Sequence, residues 1–301
     1  MTHLSRRHMM FASALAPFLR GATLQQVHLS ITSDEIDEDL RAAAVFIQRH
    51  GLGYAELRSI WGKYNTTYPL DKIREAKAVL DEHQLKTAIV DTTFFRGALP
   101  EGPQEKSALD EQWELLDDAM ARAKILGVDK LRTFAFTYKS GESPDPTQYP
   151  RIYELQREAA RRAKAKGMRL AIENLANSYV WTGAQAGEML QAVQESNLGL
   201  TWDPNNAAEK GETPFPDGLR HLDPARMFHV HVRDFRRGAG GKVEWTAVGD
   251  GEFDNTAHIR ALLKAGYKEV FNLETHWRGP GGKAASTETS LAGLLKAVER
   301  V

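Results

Sequence analysis

A chain of 301 residues with 42% hydrophobic and 9% aromatic content carries enough apolar material for one large buried core. Its 39 lysines and arginines against 40 acidic residues leave a net charge of −1, which removes the basic surface that a nucleic-acid partner requires. With no cysteine, disulfides, thiolate-bound zinc and thiol nucleophiles are excluded.

Residues 1–24 differ in character from the rest of the chain. Arg6-Arg7 precedes a short apolar run through Leu19 and resembles a twin-arginine export signal, with Ala14 and Ala16 as small residues near a cleavage point. Export to the periplasm follows from that reading. An N-terminal extension with an accidental arginine pair, on a cytoplasmic protein, is the other. No run reaches the ~20 apolar residues of a membrane span.

Residues 25–301 read as one domain. Strand-like runs at 27–32, 54–60, 86–92 and 130–136 alternate with helical patterns at 39–49, 71–82 and 109–126. A helix at 153–166 then leads to strand 169–174, helix 184–195 and strand 198–203. Residues 207–226 are irregular, strand 227–234 leads into a loop at 236–251, and helix 256–265, strand 269–276 and helix 287–299 close the chain. Gly51, Gly127, Gly167 and Gly266 each end a helical run, and Thr182 and Asp254 stand where N-caps belong. Eight strands alternating with helices predict a closed (β/α)8 barrel. The rival, an open doubly wound sheet, lacks a glycine-rich phosphate fingerprint after the first strand.

In such a barrel the C-terminal strand ends line the functional face. Strand five ends Ala171-Ile172-Glu173-Asn174 and strand six Thr201-Trp202-Asp203-Pro204-Asn205-Asn206. Strand seven carries Phe228-His229-Val230-His231-Val232-Arg233-Asp234, and strand eight ends Asn272-Leu273-Glu274-Thr275-His276. The successive intervals from Glu173 to Asp203, on to His231 and on to Glu274 are 30, 28 and 43 residues, each about one βα unit with the last lengthened by a loop. One such residue is more often a cap or a hydrogen-bonded core group. Four on adjacent strands, after apolar runs, point to a shared cation, because isolated buried charge is costly. Three carboxylates and an imidazole suit one divalent ion, Mn, Mg or Co, with Zn also compatible.

These four motifs, with Glu56-Leu57-Arg58 and Gly249-Asp250-Gly251-Glu252-Phe253, resemble the sugar phosphate isomerase/epimerase superfamily, the xylose isomerase-like TIM barrels. The resemblance spans the chain after residue 25. It implies metal ligation by Glu173, Asp203, His231 and Glu274, with His231 rather than His229 as the imidazole ligand. It also implies that Glu173 and Glu274 exchange a proton with one substrate carbon. His229 falls one layer deeper, as a hydrogen-bonding partner behind the ligands, and Asp234 orients the site or caps the loop.

Substrate contacts are expected from Glu56, Arg58, Asn206, Arg233 and His276, with Lys63 a further candidate. Arg132, near the start of strand four, reads as a surface or barrel-bottom ion pair. Trp61, Phe94, Phe95 and Trp277 offer an apolar wall for a sugar ring. Asn206 stands where sugar epimerases of this kind commonly carry histidine, a departure that weakens a ketose 3-epimerase assignment. The activity implied is a metal-dependent isomerase or epimerase of a carbohydrate, working through an enediolate. The alternative is a lyase or dehydratase using the same first step. A nuclease is disfavoured by charge and by too few histidines, and a sugar-binding barrel without catalysis leaves the four ligands unexplained. A homo-oligomer is compatible with the sequence.

Overall fold

The computed structural model describes residues 27–301, so the export-signal reading of Arg6-Arg7 lies outside the described residues. Eight parallel strands close into a barrel: β1 His28–Thr32, β2 Tyr54–Leu57, β3 Lys86–Asp91, β4 Lys130–Thr133, β5 Arg169–Glu173, β6 Leu198–Trp202, β7 Met227–Val232 and β8 Val270–Leu273. Strands consecutive in sequence are neighbours in the ring, and β1 closes it against β8, with Ser30 opposite Asn272 and Ile31 opposite Leu273. Among the described residues no helix is long and apolar enough to cross a membrane.

The helices are α1 Leu40–Arg49, α2 Leu70–Glu82, α3 Glu105–Leu126, α4 Tyr149–Ala165, α5 Gly183–Val193, α6 Pro204–Glu209, α7 Asn255–Lys264 and α8 Gly282–Glu299. Their apolar residues recur every three or four positions and face the sheet. In α4 the buried set is Ile152, Leu155, Ala159, Ala160 and Ala163. Burying one such Ile or Leu stabilises by about 1.5–3 kcal/mol. The helix starts follow side-chain chemistry. Asp39 accepts from Arg41 N, Thr182 and Gln185 form a reciprocal capping box, and Asp254 accepts from Ala257 N. Gly127 ends α3 at φ 73°, a left-handed conformation that releases the chain into β4.

Most expected strands stop early, β2, β4 and β8 by three residues and β7 by two. β2 ends at Leu57, and Ser59–Ile60 pairs instead with Lys63–Tyr64 in a small antiparallel hairpin. β4 ends at Thr133. β7 ends at Val232, after which Asp234–Arg237 turns back through a glycine-rich tip and pairs with Val243–Thr246. The loop expected at 236–251 therefore begins as a hairpin standing over the barrel. After the short α6, the stretch to residue 226 is a series of tight turns, as its irregular pattern implies.

A register shift between β6 and β7, from Leu200 opposite Met227 to Thr201 opposite His229, sets the barrel interior. Phe228 packs with Ile89 and Ala171, which share strand faces with Asp91 and Glu173. Below them Lys130 Nζ and Arg169 Nη1 meet Glu269 at 2.9 and 2.7 Å. This paired-charge and apolar floor lies under the site.

Candidate metal centre at the barrel mouth

Side chains of a strand alternate, so each strand end delivers every second residue to the interior. β2 supplies Glu56 and continues to Arg58, β3 ends on Asp91, β4 supplies Arg132 and β5 ends on Glu173. Asp203 follows β6, His229 and His231 lie on β7, and Glu274 follows β8. Glu56, Asp91, Asp203, His229 and His231 are wholly excluded from solvent.

Glu173, Asp203, His231 and Glu274 each aim one ligand atom at a common point, all within 4.8 Å of one another. The centre of the group is His231 Nδ1, which lies 3.3 Å from Glu173 Oε1, 3.6 Å from Asp203 Oδ2 and 3.1 Å from Glu274 Oε2. The remaining oxygens are committed elsewhere. Asp203 Oδ1 caps α6 by accepting from Asn205 N at 2.8 Å and Asn206 N at 3.2 Å. Asn174 holds the Asp203 backbone from both sides, donating to its carbonyl and accepting from its N–H at 2.8 Å. Glu173 Oε2 lies 3.1 Å from Arg132, whose guanidinium also meets Asp91 at 3.0 Å and donates to Tyr64 Oη at 2.6 Å. Glu274 Oε1 accepts from Arg58.

Arg58 is shared with Asp34 and Glu35, at 3.0 and 2.7 Å. His276 bridges the two rim arginines, with Nε2 3.2 Å from Arg58 and Nδ1 2.9 Å from Arg233. Arg233 in turn donates to Asp203 and, at 2.6 Å, to Asn206 Oδ1. Trp245, carried in by the hairpin after β7, lays its ring 4.5 Å from the Arg233 guanidinium.

Seven buried carboxylates, Asp34, Glu35, Glu56, Asp91, Glu173, Asp203 and Glu274, thus face four guanidiniums, Arg58, Arg132, Arg233 and, on Glu35 alone, the more exposed Arg278. That excess shapes the protonation states. Burial alone would depress the His231 imidazole, but Glu56 and Glu274 outweigh it and hold it well above the usual histidine range. Burial would raise the Glu274 carboxyl, yet His231, His276 and Arg58 keep it well below the carboxylate range. Asp203 is likewise lowered, since Arg233 and His231 overcome its burial. Asp91 goes the other way, raised by burial and by neighbouring Glu56 and Glu173 despite Arg132. A divalent cation fits this donor set. His231 Nδ1 is buried without a hydrogen-bond partner, and the ligand atoms converge to about twice a metal–oxygen bond length of about 2.0–2.2 Å.

Several expected residues occupy different positions from those their spacing implied. Glu56 is not at the rim but wholly buried, 2.5 Å from His229 Nε2 and 3.2 Å from His231 Nε2, so that both of its oxygens face imidazoles. Arg132 is not at the barrel bottom. β4 is so short that Arg132 is its last inward position, level with Glu173. Asn206 is buried in α6, holding Arg233 and donating to the Asn174 carbonyl at 2.8 Å. Asp234, by contrast, takes one of its two expected places and caps the following loop, accepting from Gly249, Gly251, Phe235 and Phe253 N–H groups.

Lys63 is exposed on its hairpin. Phe94 and Phe95 are packed into the core against Trp113 and Phe136, so they form no wall of the site. Trp61 stands edge-on to Tyr68, while Trp277 is half-buried beyond β8. Asp34, Glu35, Tyr64, Asp91 and Trp245 complete the mouth without having been singled out in the sequence. The strand-end rule applied to β1 and β3 marks Asp34, Glu35 and Asp91. Tyr64 and Trp245 sit on hairpins that carry no comparable signal.

Among curated proteins none matches the sequence closely enough to count as a relative. Solved structures do match in fold. A protein described as IolI with a bound zinc atom superposes with a TM-score of 0.74 at 20% identity, over 91% of this chain and 99% of that one. A D-allulose 3-epimerase from Methylomonas sp. gives 0.71 at 18% identity, over 92% and 98%. The probable 3-DHS dehydratase AsbF of Bacillus anthracis gives 0.68 at 15% identity, over 91% and 100%. Residues 44–297 match the family of xylose isomerase-like TIM barrels, and the chain belongs to that family.

Proposed function

We propose that the protein is a divalent-metal-dependent isomerase or epimerase of a small carbohydrate. The observation that carries this is the pair Glu173 and Glu274, delivered by β5 and β8 to either side of Asp203 and His231. Each has one oxygen toward His231 Nδ1 and the other against an arginine. Glu173, Asp203, His231 and Glu274 would hold the ion, which when bound would polarise a carbonyl and the neighbouring hydroxyl and so acidify the C–H of the hydroxyl-bearing carbon. One glutamate takes that proton and the other returns one to the opposite face of the enediolate. Arg58, Arg233 and His276 line the approach and orient hydroxyl groups, and Trp245 supplies the apolar surface. The ion is manganese, magnesium, cobalt or zinc. The fold neighbour described with a bound zinc atom supports a divalent ion in this barrel. The Arg6-Arg7 segment supports an exported protein and therefore an unphosphorylated substrate.

His276 favours a second reading, elimination. Its partly exposed imidazole lies 3.4 Å from Glu274 and can protonate a leaving hydroxyl after the same C–H abstraction.

The test has two stages. Metal content is measured for the wild type and for Glu173→Gln, Asp203→Asn, His231→Ala and Glu274→Gln, with one ion per chain expected only in the wild type. Keto-sugars are then screened in deuterated solvent. Deuterium at one carbon with inverted configuration supports epimerisation, and a conjugated, ultraviolet-absorbing product supports elimination. Unchanged metal binding in the variants rejects the site.

A further inference from the structure

Glu56 lies on β2, across the barrel interior from β7, and both of its oxygens are used. Oε2 is 2.5 Å from His229 Nε2, and Oε1 is 3.2 Å from His231 Nε2. All three side chains are wholly buried, and the two imidazole rings stand nearly perpendicular, at 86° with centroids 5.4 Å apart. Glu56, His229 and His231 also offer a cluster of ligand-type atoms. At these distances, however, the contacts are hydrogen bonds, with no space for an ion between the partners. An ionised carboxylate only accepts, so each ring must turn an Nε2–H toward it.

For His231 the consequence is directional. Glu56 keeps a proton on Nε2, so when an ion displaces the proton from Nδ1 the lone pair freed there faces Glu173, Asp203 and Glu274. His229 makes no such contact with the three carboxylates. Its place is to occupy the second oxygen of Glu56 and so stop the carboxylate from rotating away from His231.

We infer that Glu56, steadied by His229, is the positioning residue that fixes the His231 tautomer and commits its Nδ1 to the metal. This rests on the metal-site reading proposed above. Groups behind a ligating histidine typically carry about 10- to 100-fold in metal affinity, because they set ring orientation and ligand basicity. Glu56→Gln keeps the volume but offers one acceptor and one amide, so it cannot accept from both rings at once.

The experiment uses zinc alone as the probe, on the full chain. Titration calorimetry is expected to show zinc affinity falling about 10- to 100-fold in Glu56→Gln, with a smaller loss in His229→Gln, where the contact to His231 survives. In the zinc-loaded wild type, nitrogen NMR of labelled histidine is expected to show His231 metal-bound at Nδ1 and protonated at Nε2. The wild-type spectrum does not depend on any variant folding. Zinc on Nε2, or undiminished affinity in a folded Glu56→Gln, overturns the inference while the metal site stands. Failure of the wild type to bind zinc stoichiometrically rejects the metal-site reading itself, and the inference with it.

Discussion

Arg132 lies 3.1 Å from Glu173 in the barrel interior, although the two residues leave different strands and Arg132 is only three residues into its own. The same guanidinium meets Asp91 at 3.0 Å, and both carboxylates are buried. One guanidinium is therefore shared by two buried carboxyl groups, one of which is a candidate proton carrier.

Removal of Arg132 leaves Asp91 and Glu173 without a counter-charge in a dry interior. Breaking one partner out of a buried pair costs about 3–5 kcal/mol, far more than any exposed ion pair contributes. Arg132→Met is expected to lose about that much in urea unfolding of the metal-free protein. Arg132→Lys keeps the charge but not the fork that spans Asp91, Glu173 and Tyr64, and should fall between. Wild-type stability in Arg132→Met would mean that Asp91 and Glu173 do not depend on this arginine.

How much of this was legible in the sequence depends on how each residue is introduced. Glu173 and Glu274 follow Leu170-Ala171-Ile172 and Phe271-Asn272-Leu273, largely apolar runs that mark strand and strand end together. Asp203 and His231 are set on adjacent strands at intervals of one βα unit, so the grouping of all four could be read from pattern alone. Arg132 could not. Thr133-Phe134-Ala135-Phe136 prolongs a strand-like pattern beyond the true end of β4, which displaced Arg132 toward the bottom. Asp34 and Glu35 look like a polar turn because they follow Thr32-Ser33. Trp245 was hidden because Gly238-Ala239-Gly240-Gly241 reads as loop, whereas it is the tip of a hairpin. The pattern assigns Glu56 to strand two but carries no signal for its depth, since depth depends on where β2 breaks.

The pH dependence of stability has a source outside the metal cluster. His258 on α7 is buried beside Phe253 and Phe215, and burial pushes its imidazole down to about 3, with Asp203 opposing only in part. An unfolded histidine titrates near 6.5, and each pH unit separating the folded from the unfolded value corresponds to about 1.36 kcal/mol. Between those values the unfolded chain binds the extra proton, so stability rises with pH through this window and is lost as pH falls from 6.5 toward 3. From pH 7 to pH 5 the loss from this group is about 2 kcal/mol. His258→Phe keeps a ring in place and removes the proton site. Its unfolding free energy, measured in urea at both pH values, should fall by about 2 kcal/mol less than that of the wild type. Equal falls would show that His258 does not contribute.

Gly293 offers a test in which two effects have opposite signs. In a helix interior, replacing glycine by alanine ordinarily stabilises by about 0.5–1 kcal/mol. In α8, however, a Cβ at residue 293 would lie 1.7 Å from the Val248 carbonyl oxygen and 2.6 Å from its carbon. These are backbone atoms, so no side-chain rotation relieves the clash. The loop they belong to is pinned through Gly249, Gly251 and Phe253 to Asp234, which directly follows Arg233. Overpacking of this kind costs about 1–3 kcal/mol and outweighs the helical gain. Gly293→Ala is therefore expected to be net destabilising in urea unfolding. Gly53→Ala, at an exposed position with nothing within 4 Å of the added carbon, should stay within about 0.5 kcal/mol of wild type. If Gly293→Ala instead proved stabilising, α8 would have to pack farther from the 248–253 loop. Asp234 would then owe its position to its own hydrogen bonds rather than to the helix behind them.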